Sequence, residues 1–296
     1  MSDFDLAEQL NSEGVQLRED GDIAGAETAY RAAASAAPEW SVPFYNLGLL
    51  YKYEGRWQES LVCNREAAML APDDEDSWWN LGIAATALGE WNEARRAWEA
   101  CGMEVPAGDG PPEFNWGETP VRLDPNGQAE VVWARRLDPA RAQIVSVPLP
   151  SSPFHWGDII LTDGAVEGQR IVDGRTYSVF NALQLLVPLG FQTFILELPT
   201  AQPEALAALY TCASEYGGAA EDWGTFTSIL CADCSRGVPH EHASGTSTPA
   251  HPHWGLAARD HAHADAIISH WLTNTRGADL TEWYEAPPRL PDDRCS

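Results

Sequence analysis

The first 106 residues carry one pattern of small, apolar and polar positions three times over. Gly14, Gly48 and Gly82 are 34 residues apart; so are Gly21, Gly55 and Gly89, and so are Pro38, Pro72 and Pro106. Apolar residues keep the same register, with Leu47 matching Leu81, Ala26 matching Ala94, and Tyr30 matching Trp98. Each period reads as two helices. The first glycine lets the leading helix approach its partner closely, and the second sits in the turn between them. The proline closes the trailing helix, because it has no N–H for the helical ladder and its ring does not fit inside one. A single helix pair cannot bury its apolar face, so the pattern predicts three pairs stacked into a short helical solenoid with a concave side.

Past Pro106 the periodicity changes. Residues 107–118, which begin Ala-Gly-Asp-Gly-Pro-Pro, read as a linker. Short runs follow that suit strands: Pro120–Leu123, Ala129–Ala134, Gln143–Val147, Asp158–Leu161, Gln169–Val172 and Thr176–Phe180. The dipeptides Asn126-Gly127, Asp163-Gly164 and Asp173-Gly174 are strong hairpin signals. Residues 119–187 are therefore expected to form a small β-rich unit, an antiparallel sheet or barrel.

Residues 188–290 alternate differently. Phe191–Leu198 is strand-like, and Pro203–Tyr216 is a helix with proline at its start and Gly217-Gly218 as its stop. Thr225–Cys231 and Trp254–Ala258 read as strands. Asp260 caps a helix whose apolar face is Ala264, Ile267, Ile268, Trp271 and Leu272, and Leu280–Tyr284 is a last strand. That order, β-α-β-β-α-β, predicts a ferredoxin-like α+β domain carrying a metal-binding loop between its middle strands, followed by a tail over 291–296. The expected class is multidomain, an α-solenoid followed by β and α+β units.

The 34-residue unit resembles the tetratricopeptide (TPR) repeat, W-x2-L-G-x2-Y…A-x3-F…P. Trp78–Gly82 reads W-W-N-L-G and Phe44–Gly48 reads F-Y-N-L-G, whereas the first repeat has Leu10 and Glu13 where Trp and Leu are expected. The resemblance covers residues 7–106. It implies a concave face that binds a protein or peptide segment, lined by Tyr45, Asn46, Leu49, Lys52 and Tyr53 of the second repeat and Trp79, Asn80 and Ile83 of the third. Part of the family holds a C-terminal carboxylate with a basic clamp; the third repeat has no Lys or Arg in its leading helix, so that clamp is not expected here. The same face could instead pack against the rest of the chain, since a terminal repeat needs a cover and residues 107–118 lead straight on.

One stretch adds chemistry. Between Cys231 and His263 lie two of the six cysteines and six of the eight histidines, as a C-x2-C and three H-x-H pairs. Thiolate and imidazole together suit zinc. Cys231 and Cys234 with His240 and His242 make the expected tetrahedral set for one structural zinc ion, with His251 and His253 as the alternative imidazole pair. His261-Ala-His263-Ala-Asp265 spells the start of the metallo-β-lactamase pattern H-x-H-x-D-H, but Ala266 stands in the sixth place, and the two histidines are expected on the exposed first turn of a helix. His270 is expected at the core edge.

Charge narrows the class of partner. The formal net charge is −26, from 44 acids against 18 bases, of which only Lys52 is a lysine. Such a surface repels phosphate backbones, which argues against nucleic acid, and attracts basic proteins. The longest apolar stretch, near Leu183 to Phe191, is too short to span a bilayer, and the opening Met-Ser-Asp-Phe-Asp lacks the marks of a secretory signal, so the expected location is cytoplasmic and no membrane partner is expected. No P-loop, G-x-G-x-x-G or G-x-S-x-G motif occurs, and no catalytic residue is assigned. The expectation is a non-enzymatic protein-interaction protein with a zinc-clipped C-terminal domain. Two alternatives follow from single features: an acidic inhibitor or immunity-type protein that neutralises a basic toxin, from the charge, and a metal-dependent hydrolase, from the surplus histidines.

Overall fold

A computed structural model describes residues 2–125, 130–172, 174–199, 202–226 and 253–287. The chain divides into two compact units: Met1–Asn115 with Leu137–Arg141, and Trp116–Arg136 with Ala142–Ser296.

The first unit is built from six helices: α1 (Asp3–Glu19), α2 (Ile23–Ala36), α3 (Ser41–Tyr53), α4 (Trp57–Leu70), α5 (Glu75–Leu88) and α6 (Trp91–Ala100). Ser2 and Asp5 form a reciprocal capping box at the start of α1, and Asp22 caps α2 by accepting from Gly25 N. The turns inside each pair place Gly21, Gly55 and Gly89 at φ of 84°, 66° and 72°, a backbone region that side-chain-bearing residues avoid. The other repeated glycine serves close packing. A Cβ on Gly82 would lie 2.4 Å from the Trp98 ring, and one on Gly48 would lie 2.4 Å from the Asn64 amide. Successive pairs are tied together across their faces. Ala26 and Tyr30 of α2 pack with Leu47, Leu50 and Tyr51 of α3. Glu27 accepts from Tyr51 Oη at 2.9 Å and from Arg56 Nη1 at 2.7 Å, and Arg65 Nε donates to Glu93 at 3.0 Å.

The C-terminal end of this stack is covered by chain with no helix of its own. Arg95 of α6 donates to Gly110 O at 2.8 Å and to Pro106 O. Arg141 stands 5.1 Å from the Trp91 ring centroid and donates to Pro112 O at 2.9 Å. It pairs at 2.5 Å with Asp138, which is fully buried and also accepts from the Ala140 and Arg141 amides. The expected linker thus serves as the cover that a terminal repeat requires.

The second unit opens with a closed barrel of β1 (Glu118–Arg122), β2 (Val131–Arg136), β3 (Arg141–Ile144), β4 (Ile159–Val172) and β5 (Arg175–Val187), in which β1 runs parallel to β5. Val121, Leu123, Val132, Ala134, Ile144 and Ile160 fill it. Where the sequence suggests two strands, Asp158–Leu161 and Gln169–Val172, a single strand runs from Ile159 to Val172. Asp163-Gly164 makes no hairpin there: register shifts between Thr162 and Val166 absorb it as an irregularity inside a strand that curves to close the barrel.

The rest of the unit is β6 (Gln192–Glu197), α7 (Pro203–Glu215), β7 (Ala219–Asp222), the short α8 (Trp223–Phe226), β8 (His253–Ala258), α9 (His261–Asn274) and β9 (Glu282–Glu285). The sheet order is β7-β8-β6-β9, with every neighbouring pair antiparallel. Leu209 and Ala213 of α7 and Ile267, Ile268 and Trp271 of α9 cover it, and Trp271 Nε1 donates to Ala205 O at 2.8 Å. Three sequence expectations are corrected. A strand not expected from the sequence, Ala219–Asp222, follows α7: Gly217, at φ 77°, ends the helix and releases the chain straight into pairing with β8. Thr225, where a strand was expected to begin, lies in the helical Trp223–Phe226, and the rest of Thr225–Cys231 lies outside the described residues. The last strand lies at Glu282–Glu285 rather than Leu280–Tyr284. Leu272 is 40% exposed, one position beyond the buried stripe of α9.

Among the described residues no helix is long and apolar enough to cross a membrane.

Candidate binding groove

The leading helices α3 and α5 carry the expected lining. Tyr45, Asn46, Leu49, Lys52 and Tyr53 lie on α3, and Trp79, Asn80 and Ile83 lie on α5. Side-chain amides stitch these helices together. Asn46 Nδ2 donates to Asn11 Oδ1 at 2.9 Å, and Lys52 Nζ donates to Asn80 Oδ1 at 2.9 Å. Asn80 also bonds the Tyr45 hydroxyl, whose pKa is raised chiefly by burial and further by the nearby carboxylates of Asp76 and Asp74. The Lys52 ammonium lies 4.6 Å from the Tyr53 ring centroid.

Burial divides the lining into two layers. Ile83, Lys52 and Asn80 are buried and form the floor, whereas Tyr45, Asn46, Leu49 and Trp79 are half-buried and Tyr53 is 56% exposed. Trp79 rests edge-on against Trp98, with ring centroids 5.4 Å apart. The accessible surface is therefore an aromatic and amide strip on a fixed floor. Its amides offer donors and acceptors to an extended backbone, and its rings offer apolar and cation-binding faces. Arg18, Lys52 and Thr86 hold the same position of the three repeats, so the third repeat carries no cation there.

The histidines divide as well. His261 is exposed, lies between the Phe194 and Trp283 rings and meets Glu285 at 3.2 Å; His263 Nε2 bonds Tyr216 O at 2.9 Å while its Nδ1 accepts from Arg259 N. Both occupy the first turn of α9. His270 is exposed on α9 rather than in the buried stripe: its carbonyl accepts from Asn274 Nδ2 at 2.9 Å, and its ring lies 5.3 Å from that of Tyr216. Cys231, Cys234, His240, His242 and His251 lie outside the described residues, as does the side chain of His253. Among the described residues no three metal-ligating side chains converge.

One cluster left no trace in the sequence. Glu130 and Glu221, 91 positions apart in the chain, meet at the junction of the barrel and the sheet inside the second unit. Glu130 accepts from Leu149 N at 3.0 Å, and Glu221 accepts from Val147 N. Trp223 Nε1 donates to Val147 O at 2.8 Å, and Ser146 Oγ accepts from Trp133 N at 3.1 Å. Burial pushes both carboxyls up to about 7. With Arg170 they border a cavity of about 10 Å³, room for roughly one water and no organic substrate. The cluster clamps the segment after β3.

No family model matches this chain, and no curated protein matches it in sequence. Solved structures that resemble it include the second TPR domain of Spaghetti (RPAP3) bound to the HSP90 peptide SRMEEVD. That structure is 21% identical, covers 32% of this chain and 89% of that one, and has a TM-score of 0.31. The TPR2B domain of yeast Sti1, in a complex with pHsp70, is 21% identical over 32% of this chain and 76% of that one, with a TM-score of 0.30. The Arabidopsis OM64 TPR domain is 13% identical over 34% and 83%, with a TM-score of 0.32. The 34-residue register, the paired helices and the repeated glycines define residues 7–106 as a tetratricopeptide repeat segment.

Proposed function

We propose that the concave face of the helical unit binds an extended segment of a partner protein and that the chain acts through this interaction and not through catalysis. The observation that carries the reading is the aromatic and amide strip of Tyr45, Asn46, Leu49, Tyr53 and Trp79 on a floor fixed by the Lys52–Asn80 bond. The segment is basic. Residues 1–115 hold 22 acids against seven bases, and Arg31, Arg56, Arg65 and Arg96 are already paired with acids of the same unit, which leaves the surface excess negative. Peptides selected for binding from a random library test this directly. Basic and apolar sequences should emerge, and Tyr45→Ala with Tyr53→Ala should weaken them at least tenfold while the helical circular dichroism is unchanged. Acidic sequences, or binding indifferent to both changes, would remove the reading.

For the second unit we infer a ferredoxin-like α+β arrangement over residues 188–290, supported by the strand order β7-β8-β6-β9 and the antiparallel neighbours. We further propose one structural zinc held by Cys231, Cys234 and two histidines from His240, His242, His251 and His253. Its support is the ligand spacing together with the pairing of Asp222 with Trp254, which fixes the two anchors of this stretch side by side, so that a metal clip would close a long connection at low entropic cost. Elemental analysis of untagged protein should give one zinc per chain; metal-free, fully folded protein would refute it.

A further inference from the structure

Residues 145–149, the segment that leaves β3, run between the barrel and the sheet of the second unit, and their amides are held in two ways. Val145 N and Ser146 N donate to Trp133 O of β2, at 2.9 and 3.3 Å. Val147 N and Leu149 N instead meet a carboxyl where a strand would have a neighbour's carbonyl. Glu221 of β7 accepts from the first, and Glu130, one residue before β2, accepts from the second at 3.0 Å. The Val147 side chain packs with Ile195, Trp223 and Ala257, and Trp223 Nε1 donates to Val147 O at 2.8 Å. Room is scarce: a Cβ on Gly255 of β8 would lie 2.4 Å from the Trp223 ring and 2.9 Å from Val147 Cγ1. The segment is thus tied to the barrel by backbone bonds and to the sheet by one carboxyl and one indole.

The charged and titratable groups around this junction are few. Arg170 of β4 borders the same cavity and stands 5.5 Å from the Trp133 ring centroid. Asp222 follows Glu221 on β7, and its amide donates to the Tyr210 hydroxyl of α7 at 3.3 Å. With both glutamates ionised, Arg170 faces the carboxylates of Glu130, Glu221 and Asp222 across a cavity of about 10 Å³, which admits roughly one water and no hydration shell. The Val147 amide, the Ser146 hydroxyl and Arg170 favour the charged form of Glu221, and the Leu149 amide favours that of Glu130. Burial outweighs them, with Glu221 adding to the rise at Glu130, and both carboxyls stand at about 7. A protonated carboxyl still accepts an N–H bond through its carbonyl oxygen, so the neutral pair holds the segment without strain. An ionised pair regains water only if the segment moves away.

We propose that Glu130 and Glu221 are a proton-operated latch: protonated, they hold residues 147–149 against β7, and when both ionise the segment lets go of the sheet while the barrel and the sheet stay folded. The latch is fastened below about pH 7 and open above it.

Hydrogen exchange of the full chain reads the latch amide by amide, expressed as protection factors so that the intrinsic rise of exchange with pH cancels. At pH 5.5 the Val147 and Leu149 amides should be protected. At pH 8.5 their protection should fall by about a hundredfold or more, to the level of an exposed loop, while β2 and β6, which are paired on both sides, remain protected. Glu130→Gln with Glu221→Gln, which keeps an acceptor at each place and cannot ionise, should leave both amides protected at either pH. Carboxyl carbon-13 NMR of the unaltered chain supplies a check that needs no variant: two glutamates should titrate near neutrality, at the pH where the protection is lost. Protection of Val147 and Leu149 that persists at pH 8.5, its loss in the double variant as well, its loss together with that of β2 and β6, or glutamates that all titrate below pH 6 would each overturn the proposal.

Discussion

The two ends of the helical stack meet the same physical demand in opposite ways. A solenoid repeat exposes its stacking face unless something covers it or the face becomes polar. At the C-terminal end the chain itself provides the cover, through Arg95 bound to the carbonyls of Pro106 and Gly110 and through the buried Arg141–Asp138 pair against Trp91. At the N-terminal end Glu13 and Thr28 stand exposed among Leu10, Leu17 and the small residues of α2. One end is closed by intramolecular bonds and so contributes to stability. The other shows no such bonds among the described residues.

That contrast is open to direct attack. The largest effect belongs to Arg141→Met, which leaves the fully buried Asp138 carboxylate without its counter-ion and should cost about 3–5 kcal/mol, read from denaturant unfolding followed by helical circular dichroism. A comparable effect is expected from pH in the second unit. Glu130 and Glu221 have folded pKa values raised to about 7 from 4.5, so between these values the folded chain holds more protons than the unfolded one. Their contribution is fully present below about pH 4.5 and is lost as pH rises through about 7. The stability of this unit should therefore fall between pH 5 and pH 8, by about 3 kcal/mol for each carboxyl, read as a lowered melting temperature, and Glu130→Gln with Glu221→Gln should flatten the profile. Arg95→Ala, which removes exposed bonds to the cover, should cost only about 1 kcal/mol. Glu13→Leu should leave the stability of the monomer within about 0.5 kcal/mol and instead raise self-association in sedimentation. A large loss of stability from Glu13→Leu would mean that Glu13 makes structural contacts of its own.

The helical unit was legible because its signals are local and repeated. Gly82 against Trp98 and Gly89 in its turn each have counterparts one repeat back, so a single sequence acts as its own alignment. The cover was half legible: residues 107–118 looked like a linker, but nothing local connects Pro112 or Trp91 with Arg141. The barrel failed at Asp163-Gly164, where a dipeptide with strong turn preference is absorbed inside a strand because barrel closure requires a bend there. In the last domain Gly217-Gly218 announced the end of α7, yet the following strand, Ala219–Asp222, was missed because four residues give too little alternation to read. The Glu130–Glu221 clamp was invisible for a different reason. A buried carboxylate looks like any surface glutamate until its tertiary neighbours are known. Of the groove, the identities of the lining residues came from repeat spacing, whereas the division into floor and accessible strip depended on the Asn46–Asn11 and Lys52–Asn80 bonds between helices.

The central claim is that the aromatic and amide strip on α3 and α5 is where this chain meets its partner. Hydrogen–deuterium exchange of the full chain, with and without a library-selected peptide at saturating concentration, tests it most directly. Slowed exchange confined to α3 and α5, with the sheet of the second unit unchanged, is the predicted result. Protection confined to the strands and helices of residues 192–285, with α3 and α5 unaffected, would contradict it.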